Sequence, residues 1–210
     1  MIKVKTFSVG MLPTNTYVIT DEATGISAVV DPACNDSSLI DYLDSIGKDK
    51  ISYVLLTHGH FDHIGFAYEC SQRYDAQILI SSLEKPFLSD VSLNLANMLR
   101  GLVLEPFDAH IYLNDNDTFS LGESKIQFIS TPGHTSGGGC YICLDDNIIF
   151  SGDTLFYLSM GRTDFPTGNQ DELLKSLRKI CDLPGDYKVY PGHNRTTTLS
   201  FERENNPYLC

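Results

Sequence analysis

The stretch that most constrains this chain is Thr57-His58-Gly59-His60-Phe61-Asp62-His63-Ile64-Gly65, which follows directly on the apolar run Ile51-Ser52-Tyr53-Val54-Leu55-Leu56. A short apolar run bounded by turn signals reads as a buried strand, so the polar cluster falls at a strand end. If the backbone stays extended through Gly59, His58 and His60 point to the same side, because side chains alternate along an extended chain. Two imidazoles then share one ion. A helix starting near Phe61 turns Asp62 and His63 to neighbouring directions that suit a second ion, in two-metal sites typically ~3.5–4 Å away. A single histidine is more often a surface or satisfied core residue. Three so close together crowd potential positive charge unless their lone pairs are used, and neutral imidazole is the commonest metal ligand.

Three further candidates occupy similar positions. His134 lies in Thr131-Pro132-Gly133-His134-Thr135-Ser136-Gly137-Gly138, Asp153 in Ser151-Gly152-Asp153-Thr154, and His193 in Tyr190-Pro191-Gly192-His193-Asn194, each just past a strand signal. Glycine before a ligand lets backbone approach closely, and loops at strand ends are where a rigid scaffold presents functional groups. Of the six histidines, only His110 stands apart as a bystander.

Hairpin signals mark Tyr17 to Thr20 and Ile26 to Val30, separated by a polar turn ending in Gly25. Helical spacing marks 36–47, closed by Gly47, then 67–74 and 170–180. Strand signals recur at 77–80, 118–121, 125–130, 140–144, 148–151 and 187–190. Residues 82–108 carry apolar side chains at mixed helical spacing and predict one or two helices with a wide apolar face, covering the core or walling a substrate cleft. Strand meanders in both halves, each punctuated by helices, predict an α+β αββα sandwich of two packed mixed sheets with helices on the outer faces. At 210 residues the chain reads as one domain, 1–210.

A net charge of −12 argues against a nucleic-acid partner and disfavours RNA processing. No long uninterrupted apolar stretch and no signal-like leader is evident, so no membrane partner and a cytoplasmic location are expected. The six cysteines are scattered, with one Cys-x-x-Cys at Cys140 to Cys143. On a strand those two thiols face opposite sides, which fits buried apolar packing better than a zinc or redox pair.

In this order, H-x-H-x-D-H followed by His134, Asp153 and His193 resembles the metallo-β-lactamase-fold hydrolase superfamily, in particular its small glyoxalase II-like members, nearly end to end. The resemblance implies that His58, His60 and His134 hold one metal, Asp62, His63 and His193 the other, and that Asp153 bridges them. Asp31, in Val29-Val30-Asp31-Pro32, matches an early aspartate that orients the ligand loop; a turn-forming Asp-Pro is the equal alternative. Gly161-Arg162-Thr163-Asp164-Phe165 follows Asp153 at the distance seen in glyoxalase II-like and persulfide dioxygenase-like members; Arg162, in a Gly-flanked loop near the metals, is a candidate anchor for a substrate carboxylate, or else pairs with Asp164 to shape the loop. With few residues after His193, the C-terminal helical domain with which glyoxalase II helps bind glutathione is not expected, so glutathione conjugates are not the expected substrate; Ala33 and Gly138 stand where the family often has other residues.

The implied activity is hydrolysis of a thioester or activated ester of a small metabolite by a metal-bound hydroxide, with Asp62 and Asp153 as catalytic carboxylates and two divalent ions per chain. Zinc is the expected metal, and the ligands also accept iron or manganese. The absence of a separate general acid favours a good leaving group such as a thiolate. The rivals are a persulfide dioxygenase with one iron on His58, His134 and Asp153, a secreted β-lactamase, and a non-catalytic metal-binding protein.

Overall fold

The computed structural model describes residues 1–209. One sheet runs in the order β1 (Ile2–Val9), β2 (Thr14–Asp21), β3 (Ser27–Val30), β4 (Ile51–Leu55), β5 (Gln77–Ser81) and β6 (Ile111–Leu113). Its first three strands are antiparallel and the pairs from β3 to β6 are parallel. The second sheet runs in the order β14 (Thr197–Thr198), β13 (Lys188–Pro191), β10 (Ile148–Gly152), β9 (Gly139–Cys143), β8 (Ser124–Ser130) and β7 (Thr118–Leu121). Only its β10 and β13 pair is parallel. A short ribbon, β11 (Leu155–Phe156) and β12 (Ser159–Met160), hangs beyond β10.

Side-chain alternation builds the layers. Tyr17 and Ile19, Leu55, and Leu79 face inward against Phe128, Tyr141, Cys143 and Phe150 of the other sheet. Their neighbours Val18, Val54, Ile78 and Ile80 face outward, under α1 (Ser37–Ile46) and α3 (Ala67–Tyr74). On the far side Cys140, Ile142, Ile149 and Val189 pack under α4 (Gln170–Cys181) and α5 (Leu199–Asn205). Two sheets stacked between helices form the four-layer αββα arrangement that the strand and helix pattern predicts. Cys140 and Cys143 do fall in different layers. Five free cysteines are described, and Cys210 lies outside the described residues.

Helix ends follow local chemistry. The Asp36 carboxylate accepts from the N–H groups of Ser38 and Leu39 at the start of α1, and Gly47 closes it at φ 96°. Asn169 caps α4, whose first turn carries Asp171 and Glu172 and whose last carries Arg178 and Lys179, matching the helix dipole at both ends. Its apolar stripe, Leu173, Leu177 and Ile180, is buried.

The expectation of one or two helices over 82–108 is not met. Ser82–Leu88 and Ala96–Met98 form only 3-10 turns and the remainder is irregular. Pro86 lacks the N–H that an α-helix would use, and Leu95 at φ 66° and Gly101 at φ 89° reverse the chain. The mixed apolar spacing has a different cause: Phe87, Leu88, Leu95 and Ala96 turn into the core, while Met98 and Val103 face outward at 62% and 77% exposure. Five strands, β1, β6, β11, β12 and β14, also escape the sequence pattern. β1 is an edge strand with only Ile2, Phe7 and Val9 buried, and β6 has three residues.

Candidate metal centre

All the singled-out histidines except His110 meet at one edge of the sandwich, where strands of both sheets end. The chain leaves β4 into Thr57-His58, β8 into the His134 loop, β10 into Asp153 and β13 into His193. The short helix α2 (Phe61–Ile64) begins one residue after His60 and carries Asp62 and His63. His60 is still extended, at φ −69° and ψ 147°, which turns His58 and His60 the same way before the helix redirects the next two ligands.

The donors form two neighbouring groups. His58 Nε2 lies 3.1 Å from His60 Nδ1, and His134 Nε2 lies 3.0 Å from that same nitrogen. In the second group, Asp62 Oδ2 is 3.3 Å from His193 Nε2 and 3.8 Å from His63 Nε2. Asp153 stands between them: Oδ1 lies 3.4 Å from His63 Nε2, and Oδ2 lies 3.5 Å from His134 Nε2 and 3.6 Å from His193 Nε2. The sets His58–His60–His134, His58–His63–Asp153 and Asp62–His63–His193 each bring one donor atom per residue within 4.8 Å of the others. His63 Nε2 and Asp153 Oδ1 are buried with no hydrogen-bond partner. Buried polar atoms are normally satisfied, and unpaired nitrogens and oxygens converging on one point fit a bound cation.

Surrounding groups aim the ligands. His134 Nδ1 donates to the carbonyl of Arg162 at 2.7 Å, and His63 Nδ1 donates to Asp31 Oδ2 at 2.9 Å, which turns the Nε2 atoms of both rings toward the site. Asp31 also accepts from the main-chain N–H of Thr57 at 2.8 Å and from its hydroxyl at 2.7 Å. The Asp31 side chain therefore links β3 to the first ligand loop, and its φ of 48° shows backbone held in an unusual region to do so. Asn15 holds the last loop, donating to the carbonyls of Pro191 at 3.0 Å and Asn194 at 2.8 Å. Gly192 must be glycine, since a Cβ there would overlap Asp153 Oδ1.

A residue the sequence reading passed over is Glu84. Fully buried, its carboxylate accepts from the Gly59 N–H at 2.7 Å and the Gly137 N–H at 2.8 Å. One side chain thus ties the His58–His60 loop to the His134 loop. Its signal in the sequence is faint, an acidic residue between Leu83 and Phe87 in a segment otherwise read for its apolar face. Burial pushes its carboxyl up to about 7, against the pull of the main-chain N–H groups.

Electrostatics separate the two donor groups. Burial first, and then the neighbouring imidazoles, hold His58 well below its ordinary value and His60 down to about 2. For His63 burial acts in the same direction, but Asp153, Asp62 and Asp31 together outweigh it and hold the ring up at about 10. His193 is likewise raised against burial, by its hydrogen bond to Asp62 and by Asp153. Burial works to raise Asp62, yet His63 and His193 bring it well below the usual carboxylate range.

Arg162 sits at the cleft margin with its guanidinium on Asp164, both contacts 2.6 Å, and 3.9 Å from the centroid of the Phe165 ring. His110 lies apart, its Nδ1 accepting from the Ile78 N–H at 3.0 Å.

The family model described as "Metallo-beta-lactamase superfamily" matches residues 9–193. The chain belongs to the metallo-β-lactamase superfamily. Among its relatives in the superfamily, "Probable metallo-hydrolase YqgX" of Bacillus subtilis is 33% identical, covering 99% of this chain and 98% of that protein. "Hydroxyacylglutathione hydrolase GloC" of Haemophilus influenzae is 30% identical, covering 87% of each. The solved structure of the BLEG-1 B3 metallo-β-lactamase superposes with a TM-score of 0.91 at 31% identity, covering 100% of this chain and 99% of that one. Family and donor clusters together support metal-dependent hydrolysis as the activity of this superfamily member. No helix among the described residues is long and apolar enough to cross a membrane.

Proposed function

We propose that the protein is a dinuclear metallohydrolase that cleaves a thioester or activated ester of a small metabolite, in the manner of a hydroxyacylglutathione hydrolase. The observation that carries this reading is Asp153, whose two oxygens face ligands of both donor groups. A facial set of His58, His134 and Asp153, as a mononuclear iron oxygenase needs, would leave Asp62, His63 and His193 converging without a use.

In this reading His58, His60 and His134 would hold one ion and Asp62, His63 and His193 the other, with Asp153 placed to serve both. Zinc suits these imidazole and carboxylate donors, as do iron and manganese. Two such ions, when bound, would supply a nucleophile from water at neutral pH and offset negative charge developing on the substrate oxygen. The chain's own residues set the geometry. Asp31 and the Arg162 carbonyl fix the tautomers of His63 and His134, and Glu84 sets the distance between the loops of the first group. Asp62 and Asp153 both line the cleft and are the carboxylates placed to take up or pass on protons. Beyond the metal donors, that cleft wall offers no further carboxylic acid to protonate a poor leaving group. A thiolate needs none. The likeness to the hydroxyacylglutathione hydrolase supports this choice. An acidic chain speaks for a small-molecule substrate rather than nucleic acid.

The test is elemental analysis of purified protein, with close to two transition-metal ions per chain expected. It is coupled to anaerobic assays of thiol release, oxygen-uptake assays with a persulfide, and assays with a chromogenic β-lactam. Anaerobic thiol release that follows metal content is expected. One iron per chain with rapid persulfide-dependent oxygen consumption would replace this reading with a dioxygenase, and efficient β-lactam opening without thioester cleavage would replace it with a lactamase.

A further inference from the structure

The cleft over the metal donors is not the only cavity at this edge. A first cavity of about 530 Å³ reaches His60, His134, Asp153 and His193, with Leu95, Met98 and Leu99 on its outer side. A second, of about 400 Å³, lies on the other side of Asp62. Leu12, Phe61 and Asp62 line both. Each falls within the size range of small-molecule sites, and the shared wall makes them two lobes around one reactive centre.

The second lobe is chemically distinctive. Its walls include Met11, Leu12, Phe61, Leu102, Val103 and Leu104. Met11 and Val103 are 73% and 77% exposed, a degree of apolar exposure that marks a binding groove when it rims a cavity. No lysine, arginine or histidine lines it. Its two ionisable side chains are the Asp62 carboxylate, whose Oδ2 turns to His63 and His193 among the metal donors, and the Cys34 thiol, which burial raises further above its ordinary value and so keeps neutral; neither supplies a positive charge to pair with an anionic substituent. In the first lobe the one arginine, Arg162, already spends its guanidinium on Asp164 and Phe165. The irregular 82–108 segment is what supplies the walls, Leu95 to Leu99 on one lobe and Leu102 to Leu104 on the other.

We infer that the second lobe is a specificity subsite for an uncharged alkyl or aryl substituent of the substrate, so that the favoured substrates are apolar thioesters or esters and not those carrying carboxylate or phosphate groups on that side. This deepens the hydrolase reading and rests on it for the position of the reacting carbonyl. The substituent can belong to the acyl group or to the leaving thiol, and the chemistry that recognises it is the same.

The experiment has a kinetic and a binding arm. In the first, metal-loaded protein is assayed on acyl thioesters from acetyl to octanoyl with a constant neutral thiol, and on acetyl thioesters of thiols of increasing alkyl length, with succinyl and glutathione thioesters as charged counterparts. In the second, matching non-hydrolysable thioethers are titrated by calorimetry. Lengthening one of the two sides should raise kcat/KM at least about tenfold and tighten thioether binding in parallel, as burial of several methylenes predicts. Val103→Asp and Met11→Asp, exposed positions on the lobe wall, should each remove most of that gain, while Met98→Asp in the first lobe should leave most of it. Metal content and melting temperature verify folding. Equal rates across both length series, a preference for the charged thioesters, or a gain lost with Met98→Asp but kept with Val103→Asp would overturn the assignment. If no thioester is cleaved but the thioethers still bind with the same length dependence and the same response to Val103→Asp, the reaction assigned above fails while the subsite stands.

Discussion

The two donor groups share Asp153 and differ in almost everything else. His58, His60 and His134 are buried imidazoles, at 2%, 2% and 5% exposure, held at the junction of two loops that Glu84 ties together. Asp62, His63 and His193 combine a carboxylate with two imidazoles, and the Asp62 and His193 side chains remain 14% and 23% exposed. Burial keeps His58 and His60 of the first group uncharged, whereas the second group is a network of ion pairs. Identical residue types therefore arrive at opposite protonation states through their surroundings. A cation entering the first group between His58 and His60 meets rings that burial keeps unprotonated. In the second it must displace protons that Asp31, Asp62 and Asp153 hold on His63.

The largest effect should come from the residue the two groups share. Asp153→Ala is expected to reduce thioester hydrolysis by more than the ~100-fold upper figure typical of supporting residues around a metal and to lower metal content, measured by kinetics and elemental analysis on the same sample. Unchanged metal content with most of the activity kept would overturn the bridging role proposed for Asp153.

Glu84→Ala distinguishes the groups. It leaves the Gly59 and Gly137 N–H groups unpaired and unties the two loops, so roughly 10- to 100-fold weaker metal retention is expected, confined to the first group. Glu84→Gln, which keeps one acceptor, should recover part of it. Equal loss from both groups would show a general collapse and not a local clamp.

Proton displacement gives a pH test of the same contrast. Burial and the neighbouring imidazoles keep His58 and His60 neutral well below pH 6, so neither ring should add a pH dependence to metal binding between pH 6 and 8. His63 is protonated up to about pH 10 in the ion-free protein, so each unit of falling pH over that window should weaken the second group by about tenfold per proton released. Competitive metal titration at several pH values reads the two slopes separately. Parallel slopes would break the contrast.

The smallest effect is expected at Arg162. Its exposed pair with Asp164 is of the kind that contributes about 0–1 kcal/mol, and Arg162→Ala should change KM by roughly threefold or less. A rise in KM above tenfold for an anionic thioester, at unchanged kcat, would show lost substrate binding and restore Arg162 as an anchor.

The donors themselves were legible because their chemistry is local. Three imidazoles and a carboxylate after an apolar strand, and three more candidates behind glycine at strand ends, follow from spacing and alternation alone. The sheet layers were legible for the same reason: period-two burial separates Tyr17 and Ile19 from Val18, and Cys140 from Cys143, before any partner is known. Residues 82–108 were not legible, since their apolar spacing serves the core and the cleft rim at once and Pro86 withholds the N–H that a regular helix would use.

What the sequence determined by itself was which atoms stand at the ends of β4, β8, β10 and β13, because strand period and glycine placement act within a few residues. What only the tertiary structure decided was how those atoms are held: how near Asp153 comes to His63 and His134, that a carboxylate 25 residues from Gly59 and 53 from Gly137 ties the first group's loops, and that Arg162 closes on Asp164. Hydrogen bonds and electrostatic fields depend on distance in space, and contacts across such separations leave no periodic mark on the chain.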